Sequence, residues 1–240
     1  MVKFDTLTIL IPVYNEASTV TQVLDMLREL ELVGNMWKEI ILIDDCSTDS
    51  SAELITAYAA RHPQLELRLL RHTTNQGKGA ALHTGIRAAT GDYIIIQDAD
   101  LEYDPTDYNA LIQPVVRGFA DVVYGSRFMG GKPHRVLFFW HSIGNAVLTF
   151  LSNLFTDLNL TDMETGYKLF RRDILQVLAL REKRFGFEPE VTAKMARISG
   201  IRIYEVGISY YGRTYAEGKK INWRDGLWAL WCILRYGLGR

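Results

Sequence analysis

A buried strand that ends in acidic residues is the feature that most constrains how this chain folds. Residues 93–96 are bulky and apolar, three of them are isoleucines, and Gly91 precedes them. That composition is typical of a central strand buried on both faces. Asp98, Asp100 and Glu102 follow at once. Because open α/β sheets bind ligands at the carboxyl ends of their strands, we expect these acids to border a ligand site.

Carboxylates two residues apart on a turn can converge on one hard divalent cation. Mg²⁺ uses one or two protein carboxylates and keeps waters and substrate phosphates as its other ligands. Asp98, Asp100 and Glu102 are therefore candidate ligands for a Mg²⁺ or Mn²⁺ ion that also holds a diphosphate. A solvated acidic turn is the alternative interpretation, since a short motif without its context is only a hypothesis.

Strands alternate with helices through the first half of the sequence. Apolar, β-branched runs at residues 6–13, 39–45, 65–70, 93–96 and 121–128 are separated by segments with helical spacing of apolar residues. This alternation predicts an α/β fold with a mostly parallel, Rossmann-like sheet flanked by helices. With 240 residues and 48% hydrophobic residues, the chain is long enough for one large domain. We divide it into a nucleotide-binding half, residues 1–127, and an acceptor-binding half, residues 128–240.

Polar side chains follow the other predicted strands as well. The candidates for binding a nucleotide are Tyr14, Asn15 and Glu16 after the first strand, Asp44 and Asp45 after the second, and Lys78 between two glycines after the third. An aromatic ring suits a base, a carboxylate accepts from a ribose hydroxyl or a base N–H, and a lysine suits phosphate. The alternatives are ordinary strand exits, helix-capping acids and a glycine-bearing helix start.

The second half contains two predicted apolar helices and a local cluster of basic residues. Residues 136–154 and 223–238 are rich in apolar and aromatic residues, and Arg213, Lys219 and Lys220 lie between them. These helices suit a membrane interface, and core helices are the alternative. His141, near Asn145, is either an acceptor contact or a core histidine. Glu188 and Glu190 are either charges at a helix N-terminus or members of the site.

Composition excludes several classes of protein. A net charge of −1 and a sequence pI near 6.5 give no global attraction to nucleic acid. Two distant cysteines and the lack of an apolar leader favour the cytoplasm over secretion. The five histidines show no paired metal-ligand spacing, so a zinc enzyme is not expected. The apolar stretches are interrupted by polar residues, so we expect contact with a membrane without crossing it.

Six motifs in order resemble the family 2 glycosyltransferases of GT-A fold, in particular the polyprenyl-phosphate sugar synthases such as dolichol-phosphate mannose or glucose synthase. They lie at residues 11–16, 43–49, 77–81, 97–102, 125–128 and 162–168. The resemblance implies that Pro12, Tyr14, Glu16 and Asp45 hold the base and ribose of a nucleotide sugar, and that Asp98, Asp100 and Glu102 hold the metal. Cys46 departs from the family, which usually has glycine there. We expect the cysteine to fit if its φ is negative.

The resemblance also implies the reaction and its partners. A UDP- or GDP-hexose donates its sugar to a polyprenyl phosphate at the cytoplasmic face of a membrane, with a separate membrane-anchoring subunit as one further partner. The expected catalytic residues are Asp100, Arg127 and Arg213, and the expected acceptor contacts are Arg127, His141, Asn145, Thr165, Glu190, Arg213, Lys219 and Lys220. Inversion at the sugar is the family's expected outcome.

The acceptor decides whether a general base is needed. A phosphate acceptor is anionic at neutral pH and needs little help from the protein, which fits the lack of an obvious catalytic histidine. A glycan or other hydroxyl acceptor needs a base, for which Asp100, Glu164 and Glu190 are candidates. Two rival classes are a sugar nucleotidyltransferase and a non-catalytic sugar-binding module. The first is disfavoured because no glycine-rich basic loop follows the first strand, and the second because Asp98, Asp100 and Arg127 are all present.

Overall fold

Strands and helices alternate along the first half of the chain, as the sequence predicts. A computed structural model describes residues 5–136, 138–214 and 223–239 of the protein. The first half consists of β1 (Thr6–Val13), α1 (Val20–Glu29), β2 (Trp37–Asp44), α2 (Ser51–Arg61), β3 (Glu66–Arg71), α3 (Lys78–Ala88), β4 (Tyr93–Ile96), α4 (Tyr108–Val116) and β5 (Val122–Ser126). Short 3-10 turns at Val33–Asn35 and Pro105–Asp107 precede β2 and α4.

The second half adds two more strands and four helices among the described residues. These are α5 (Phe139–Thr156), β6 (Lys168–Arg171), α6 (Arg172–Val177), α7 (Phe187–Ala196), β7 (Ile203–Gly207) and α8 (Trp223–Leu238). Proline at position 189 lies in the first turn of α7, where its missing N–H costs no hydrogen bond.

All seven described strands form one sheet in the order β3-β2-β1-β4-β6-β5-β7. The pairs β3–β2, β2–β1, β1–β4 and β5–β7 are parallel, whereas β6 runs antiparallel to both β4 and β5. The prediction of an α/β fold with a mostly parallel sheet is therefore confirmed. A strand from the second half lies in the middle of this sheet, so the two halves of the chain share one hydrophobic core.

The period of two along each strand divides the core between the two faces of the sheet. Tyr93 and Ile95 of β4 point to the cluster formed with α1, α2 and α4. Ile94 and Ile96 point to the opposite cluster, formed with α3, α6 and α7. All four side chains are at most 2% exposed, which explains why β4 has no polar position. Burial on both faces leaves ligands access only at the strand ends.

Helices α5 and α8 pack against each other, and both contact α7. They bury little of their apolar surface: the large side chains that remain exposed include Phe139, Trp140, Ile143, Val147, Phe150 and Leu154 on α5 and Trp223, Leu227, Trp228, Trp231, Leu234 and Leu238 on α8. We call this surface the apolar face. Within the described residues, neither of these helices nor any other is long and apolar enough to cross a membrane.

Candidate functional site

A cavity of about 440 Å³ lies at the carboxyl ends of β1, β2 and β4. We call it the polar cavity. Its lining includes most of the residues that the sequence singles out for a nucleotide site: Pro12, Tyr14, Glu16, Asp45, Lys78, Asp98, Asp100, Glu102 and Arg127. These side chains come from loops far apart in the sequence. The strand order brings them together, because β1 lies between β2 and β4.

The acidic turn after β4, which carries Asp98, Asp100 and Glu102, is contacted by basic side chains from the start of α3 and from the segment after β7. Lys78 Nζ lies 2.7 Å from Asp98 Oδ1, and Arg213 Nη2 donates to Asp100 Oδ2 at 2.8 Å. Gln97 supports the turn from behind, since its side-chain amide donates to the carbonyl of Asp98 at 2.9 Å. Two buried tyrosine hydroxyls, those of Tyr108 and Tyr167, donate to Gln97 Oε1 at 2.8 and 2.6 Å. The turn is therefore held rigidly at the bottom of the cavity.

Glu102 connects the acidic turn to the segment after β7. Its Oε1 accepts a hydrogen bond from the backbone N–H of Arg213 at 2.7 Å, and its Oε2 accepts one from the hydroxyl of Tyr210 at 2.8 Å. The carbonyl of Glu102 also accepts from the N–H of Tyr211 at 2.9 Å. Both carboxylate oxygens of Glu102 are thus used to hold Arg213 over the turn.

The charges of the acidic turn suit a bound cation. Burial, together with the charges of Asp98 and Glu102, raises the pKa of Asp100 to about 7. Burial also opposes the charged form of Lys78, but the carboxylates of Asp98 and Glu188 outweigh it and raise the pKa of this lysine. Within the described residues, no three His, Cys, Asp or Glu side chains are arranged as a ready metal site. Mg²⁺ needs only one or two protein carboxylates when a diphosphate supplies other ligands, so the pair Asp98 and Asp100 fits it.

Asp45 organises the loop on the opposite side of the polar cavity. Its carboxylate lies 2.6 Å from Nδ1 of His72 and accepts backbone hydrogen bonds from Gln76 and Gly77. Gly77 has a φ of +99°, a conformation that favours glycine, and an added Cβ would lie 2.6 Å from the carbonyl oxygen of Lys183. The ring of Tyr14 lines the cavity and is 38% exposed, as an aromatic side chain that stacks on a base would be.

Asn15 and Asp44 lie outside the lining of this cavity. Asn15 binds the loop after β2, where its Oδ1 accepts from the N–H of Thr48 at 2.8 Å. Asp44 is fully buried, accepts from the N–H of Ser47 at 3.1 Å and lies 3.4 Å from Nε of Arg71. The structure therefore gives both residues contacts that shape the loops around the site.

Cys46 adopts a φ of +62°, so the condition for a cysteine to fit without strain, a negative φ, is not met. Its backbone follows a turn in which Asp45 points into the cavity while Asp44 binds the N–H of Ser47. Only glycine adopts this left-handed conformation without strain. The cysteine thus occupies a strained position in a loop that carries a nucleotide-site candidate.

Arg127 lies where the polar cavity meets a second one. Its Nε and Nη2 donate to Oδ2 and Oδ1 of Asp162 at 2.7 and 2.8 Å, and Nη2 also donates to Asn145 Oδ1 at 3.2 Å. Burial opposes the charge of this guanidinium, but Asp162 outweighs it and raises the pKa of Arg127. Arg127 is therefore a fixed cation, oriented by two side chains.

The second cavity, of about 550 Å³, extends from this junction along α5 and α8. We call it the apolar cavity. The residues it shares with the polar cavity are Arg127, Glu164, Phe185 and Tyr210. The others are mostly from the two helices and the segment before α5: Phe128, His134, Arg135, Val136, Phe138, Trp140, His141, Ser142, Gly144, Asn145, Leu148, Trp223, Asp225, Gly226 and Ala229. His141 and Asn145, predicted as acceptor contacts, both line it.

Three other predicted acceptor contacts lie outside the lining of both cavities: Arg213, which donates to Asp100, and the pair Glu190 and Thr165. Glu190 is fully buried, accepts from the N–H groups of Arg181 and Glu182, and pairs with Lys194 at 2.5 Å. Thr165 is also fully buried, and its carbonyl accepts from Lys168 Nζ. Both residues shape the walls of the site from behind. Lys219 and Lys220 lie outside the described residues.

Two carboxyl groups in the wall of the polar cavity have oxygens without hydrogen-bond partners in the described part of the chain. They are Oε1 of Glu164 and Oε2 of Glu188. Burial and the charge of Glu188 raise the pKa of Glu164 to about 8. Burial lowers the pKa of the neighbouring Lys168 to about 8, although the negative charges of Glu188 and Glu164 act to raise it. Unsatisfied buried oxygens are rare in proteins and are expected to have a function.

Several lining residues have no signal in the sequence. Tyr103, Arg184 and Phe185 lie in irregular segments whose periodicity predicts nothing, and Tyr210 lies in a predicted strand, residues 201–211, without any signal for the site. Only the folded chain brings these residues to the cavities. Asp162 belongs to a motif that the sequence does single out. Its function as the partner of Arg127 depends on a contact across 35 residues, which the pattern alone does not reveal.

Comparison with known proteins is consistent with this geometry. The model of glycosyl transferase family 2 matches residues 8–178. An undecaprenyl-phosphate mannosyltransferase of Micrococcus luteus is 30% identical over 252 residues, which cover 96% of this chain and 98% of that protein. A dolichyl-phosphate beta-glucosyltransferase of Dictyostelium discoideum is 29% identical over 90% of this chain and 68% of that protein.

The fold also matches solved structures. The glucosyl-3-phosphoglycerate synthase of Mycobacterium tuberculosis, crystallised with Mn²⁺, UDP and glucosyl-3-phosphoglycerate, superimposes with a TM-score of 0.74. The match covers 97% of this chain and 80% of that one at 19% identity. A likeness at this identity concerns the fold alone, which is the GT-A fold.

Proposed function

The chain belongs to glycosyl transferase family 2, and from that premise we propose that it transfers a hexose from a UDP- or GDP-sugar to a polyprenyl phosphate. The observation that carries this proposal is the junction of the two cavities. A polar cavity suited to a nucleoside diphosphate meets, at Arg127, an apolar cavity bordered by helices α5 and α8. The names of the relatives from Micrococcus luteus and Dictyostelium discoideum support the same acceptor class.

We assign the nucleotide sugar one orientation in the polar cavity. We assign the base and ribose to the side lined by Pro12, Tyr14 and Asp45, and the diphosphate to the acidic turn. Lys78 and Arg213 contact the carboxylates of this turn, and we assign both cations to the phosphate oxygens. This orientation leaves the sugar at the junction with the apolar cavity.

Asp98 and Asp100 are the residues we assign to a divalent cation, Mg²⁺ or Mn²⁺. When bound, such a cation neutralises charge on the diphosphate. Glu102, also a predicted ligand, is held by Tyr210 and Arg213 and acts in this assignment by keeping Arg213 in place. The carboxyl of Asp100, whose pKa is about 7, is expected to ionise more readily when a cation approaches.

The proposed reaction is a direct displacement at the anomeric carbon. An oxygen of the acceptor phosphate attacks this carbon and forms a new C–O bond, while the bond from the carbon to the diphosphate breaks and the nucleoside diphosphate leaves with the electron pair. Attack from the opposite side inverts the anomeric configuration. Arg127 attracts and orients the acceptor phosphate, and Lys78 and Arg213 stabilise the charge that develops on the leaving diphosphate.

The apolar face supports a peripheral contact with a membrane. Helix α5 carries no Asp, Glu, Lys or Arg between residues 139 and 156, and Trp140 and Phe150 are 78% and 65% exposed. Exposed apolar patches of this kind mark interaction surfaces, and amphipathic helices lie in the membrane interface. We assign this face to the cytoplasmic leaflet, where a polyprenyl phosphate presents its head group to the apolar cavity.

Transfer assays test the proposal. Purified protein is incubated with UDP-glucose, UDP-N-acetylglucosamine or GDP-mannose and a short polyprenyl phosphate, with Mg²⁺, Mn²⁺ or EDTA. We expect a lipid-linked sugar from one donor and only with metal. Asp100→Ala should abolish transfer, while Glu66→Ala, which removes an exposed carboxylate at the start of β3, should not. Transfer to a free glycan but not to the lipid phosphate would contradict the assignment of the acceptor.

Flotation with liposomes tests the membrane contact separately. Trp140→Ser should reduce the bound fraction, whereas Trp37→Ser should leave it unchanged. Trp37 is 74% exposed but begins β2, at the opposite end of the strand from the site. If wild-type protein does not float, the apolar face is expected to bind a separate membrane-anchoring subunit.

A further inference from the structure

The proposed transfer does not yet use Glu188, which is buried, or Glu164, which is half-buried. Glu188 is the second residue of α7, is 5% exposed, and lines the polar cavity. Glu164 precedes β6 and lines both cavities at their junction. Each has one buried oxygen with no hydrogen-bond partner in the described chain. A buried polar atom without a partner costs stability, and a ligand group that bonds to it would remove that cost.

The two acids have different charged neighbours. Lys78 Nζ lies 3.7 Å from Oε1 of Glu188, and Lys168 also attracts this carboxylate. Glu164 faces Glu188 and Asp162 as like charges and Lys168 and Arg127 as opposite charges. Burial and the charge of Glu188 raise the pKa of Glu164 to about 8, so Glu164 keeps its proton near neutral pH.

A neutral acid beside a carboxylate suits hydroxyl groups better than it suits phosphate. A protonated carboxyl donates one hydrogen bond, an ionised one only accepts, and a sugar hydroxyl does both. A sugar hydroxyl can therefore donate to Glu188 and accept from Glu164, whereas an ionised phosphate oxygen can only accept. The ligand must also lie at the junction of the two cavities, which is where the transferred sugar has to be when the acceptor attacks it.

We propose that Glu164 and Glu188 recognise the hydroxyl groups of the transferred hexose, with Glu164 as hydrogen-bond donor and Glu188 as acceptor. This inference rests on the proposed function, since it assigns the sugar subsite of the same cavity. It makes the two acids determinants of which hexose is transferred. It also assigns Glu164 a binding function in place of the general-base function that a hydroxyl acceptor would require.

Calorimetry that compares binding of a nucleotide sugar with binding of the same nucleoside diphosphate tests the assignment. The probes are UDP, UDP-glucose, GDP and GDP-mannose, and the pair that wild-type protein binds is used for the variants. Glu164→Ala should weaken binding of the nucleotide sugar by about 10-fold or more, because a buried hydrogen bond to a hydroxyl is lost. Binding of the free nucleoside diphosphate should not change. Glu164→Gln keeps a donor and should bind the nucleotide sugar within about 3-fold of wild type.

Deoxy-sugar nucleotides identify the hydroxyl concerned. An analogue that lacks the hydroxyl bound by Glu164 should lose affinity for wild-type protein but lose nothing further in Glu164→Ala. Glu66→Ala is the control, and urea unfolding checks that each variant is folded.

Three results would overturn the inference: unchanged nucleotide-sugar binding in Glu164→Ala, equal loss in the alanine and glutamine variants, or an equal loss for the free nucleoside diphosphate. The proposed function fails in a different way, namely when wild-type protein binds none of the four probes.

Discussion

The ion pair between Arg127 and Asp162 allows a quantitative test of how the junction is built. Asp162 is fully buried, and the side chain of Arg127 is only 17% exposed. The carboxylate accepts three hydrogen bonds from this one residue: from Nε at 2.7 Å, from Nη2 at 2.8 Å and from the backbone N–H at 3.1 Å. Asp162→Ala leaves a half-buried guanidinium with Asn145 as its remaining hydrogen-bond partner, beside the rings of Phe128 and Tyr210.

Removing one member of a buried ion pair typically costs about 3–5 kcal/mol, since the other charge stays buried without compensation. We therefore expect Asp162→Ala to lower the free energy of unfolding by this amount, which corresponds to roughly 6–20 °C in the melting temperature of a domain of this size. Arg127→Ala should cost somewhat less, because Asp162 keeps the backbone N–H of residue 127. Asp162→Asn keeps one oxygen acceptor and should lie between wild type and Asp162→Ala.

Urea unfolding of both single variants and the double variant completes a double-mutant cycle. The double variant removes both charges, so its cost should be smaller than the sum of the single costs by about 2 kcal/mol or more. Two outcomes would refute this account of the junction: single costs that simply add, or a loss below about 1 kcal/mol for Asp162→Ala.

Three further predictions follow from single positions. Native protein keeps the proton of Glu164 up to a pKa of about 8, while the unfolded chain releases it near the ordinary value of 4.5. The free energy of unfolding of wild type should therefore fall relative to that of Glu164→Gln as pH rises from 5 to 8. A difference between the two that stays constant with pH in urea titrations would contradict this. The charged groups that face Glu164 are Glu188, Lys168, Arg127 and Asp162. In Gly166→Ala the new Cβ would lie 2.5 Å from Asp98 Oδ2, so calorimetry should show weaker metal-dependent donor binding, with a stability loss of about 1–3 kcal/mol at most. At Cys46, whose φ is +62°, melting temperatures should rank glycine at or above cysteine and cysteine above valine, because a β-branched residue is strained most in this conformation.

The strands and the first part of the site could be predicted because local signals agree there. An apolar run that is buried on both faces ends in acids after β4, and a similar run ends in Asp44 and Asp45 after β2. The rule that ligands bind at strand carboxyl ends then assembles residues from separate loops. Pro12, Tyr14, Glu16, Asp45, Lys78 and the acidic turn all line the polar cavity as a result.

The position of β6 could not be predicted, because it depends on pairing across the chain. Its four residues, Lys168–Arg171, read as a short strand, but nothing local shows that they separate β4 from β5 and run antiparallel to both. This insertion places the segment before β6, with Asp162 and Glu164, beside Arg127. The junction of the two cavities is therefore a consequence of long-range topology.

The two acids at the start of α7 show a similar limit. Glu188 and Glu190 are two positions apart, so a helix points them in different directions. Glu188 lines the polar cavity, whereas Glu190 binds the backbone of residues 181 and 182. The pattern allows one of the pair to belong to the site but does not indicate which. The acid predicted as an acceptor contact, Glu190, is the one that supports the loop.

The loop at residues 182–185 connects the polar cavity to helix α8, which carries part of the apolar face. Glu182 accepts hydrogen bonds from Trp228 Nε1 at 3.0 Å and from the hydroxyl of Tyr236 at 2.7 Å, which attaches it to α8. The carbonyl of the next residue, Lys183, accepts from the N–H of Ala80 at 3.0 Å, which attaches the same loop to the first turn of α3 beside Lys78. Phe185 then reaches the lining of both cavities. Direct transfer requires the acceptor phosphate and the anomeric carbon to meet within about 3–3.5 Å. The loop at residues 182–185 therefore connects α8, which borders the apolar cavity, to the start of α3 and Lys78 in the polar cavity, and the proposed transfer needs such a connection.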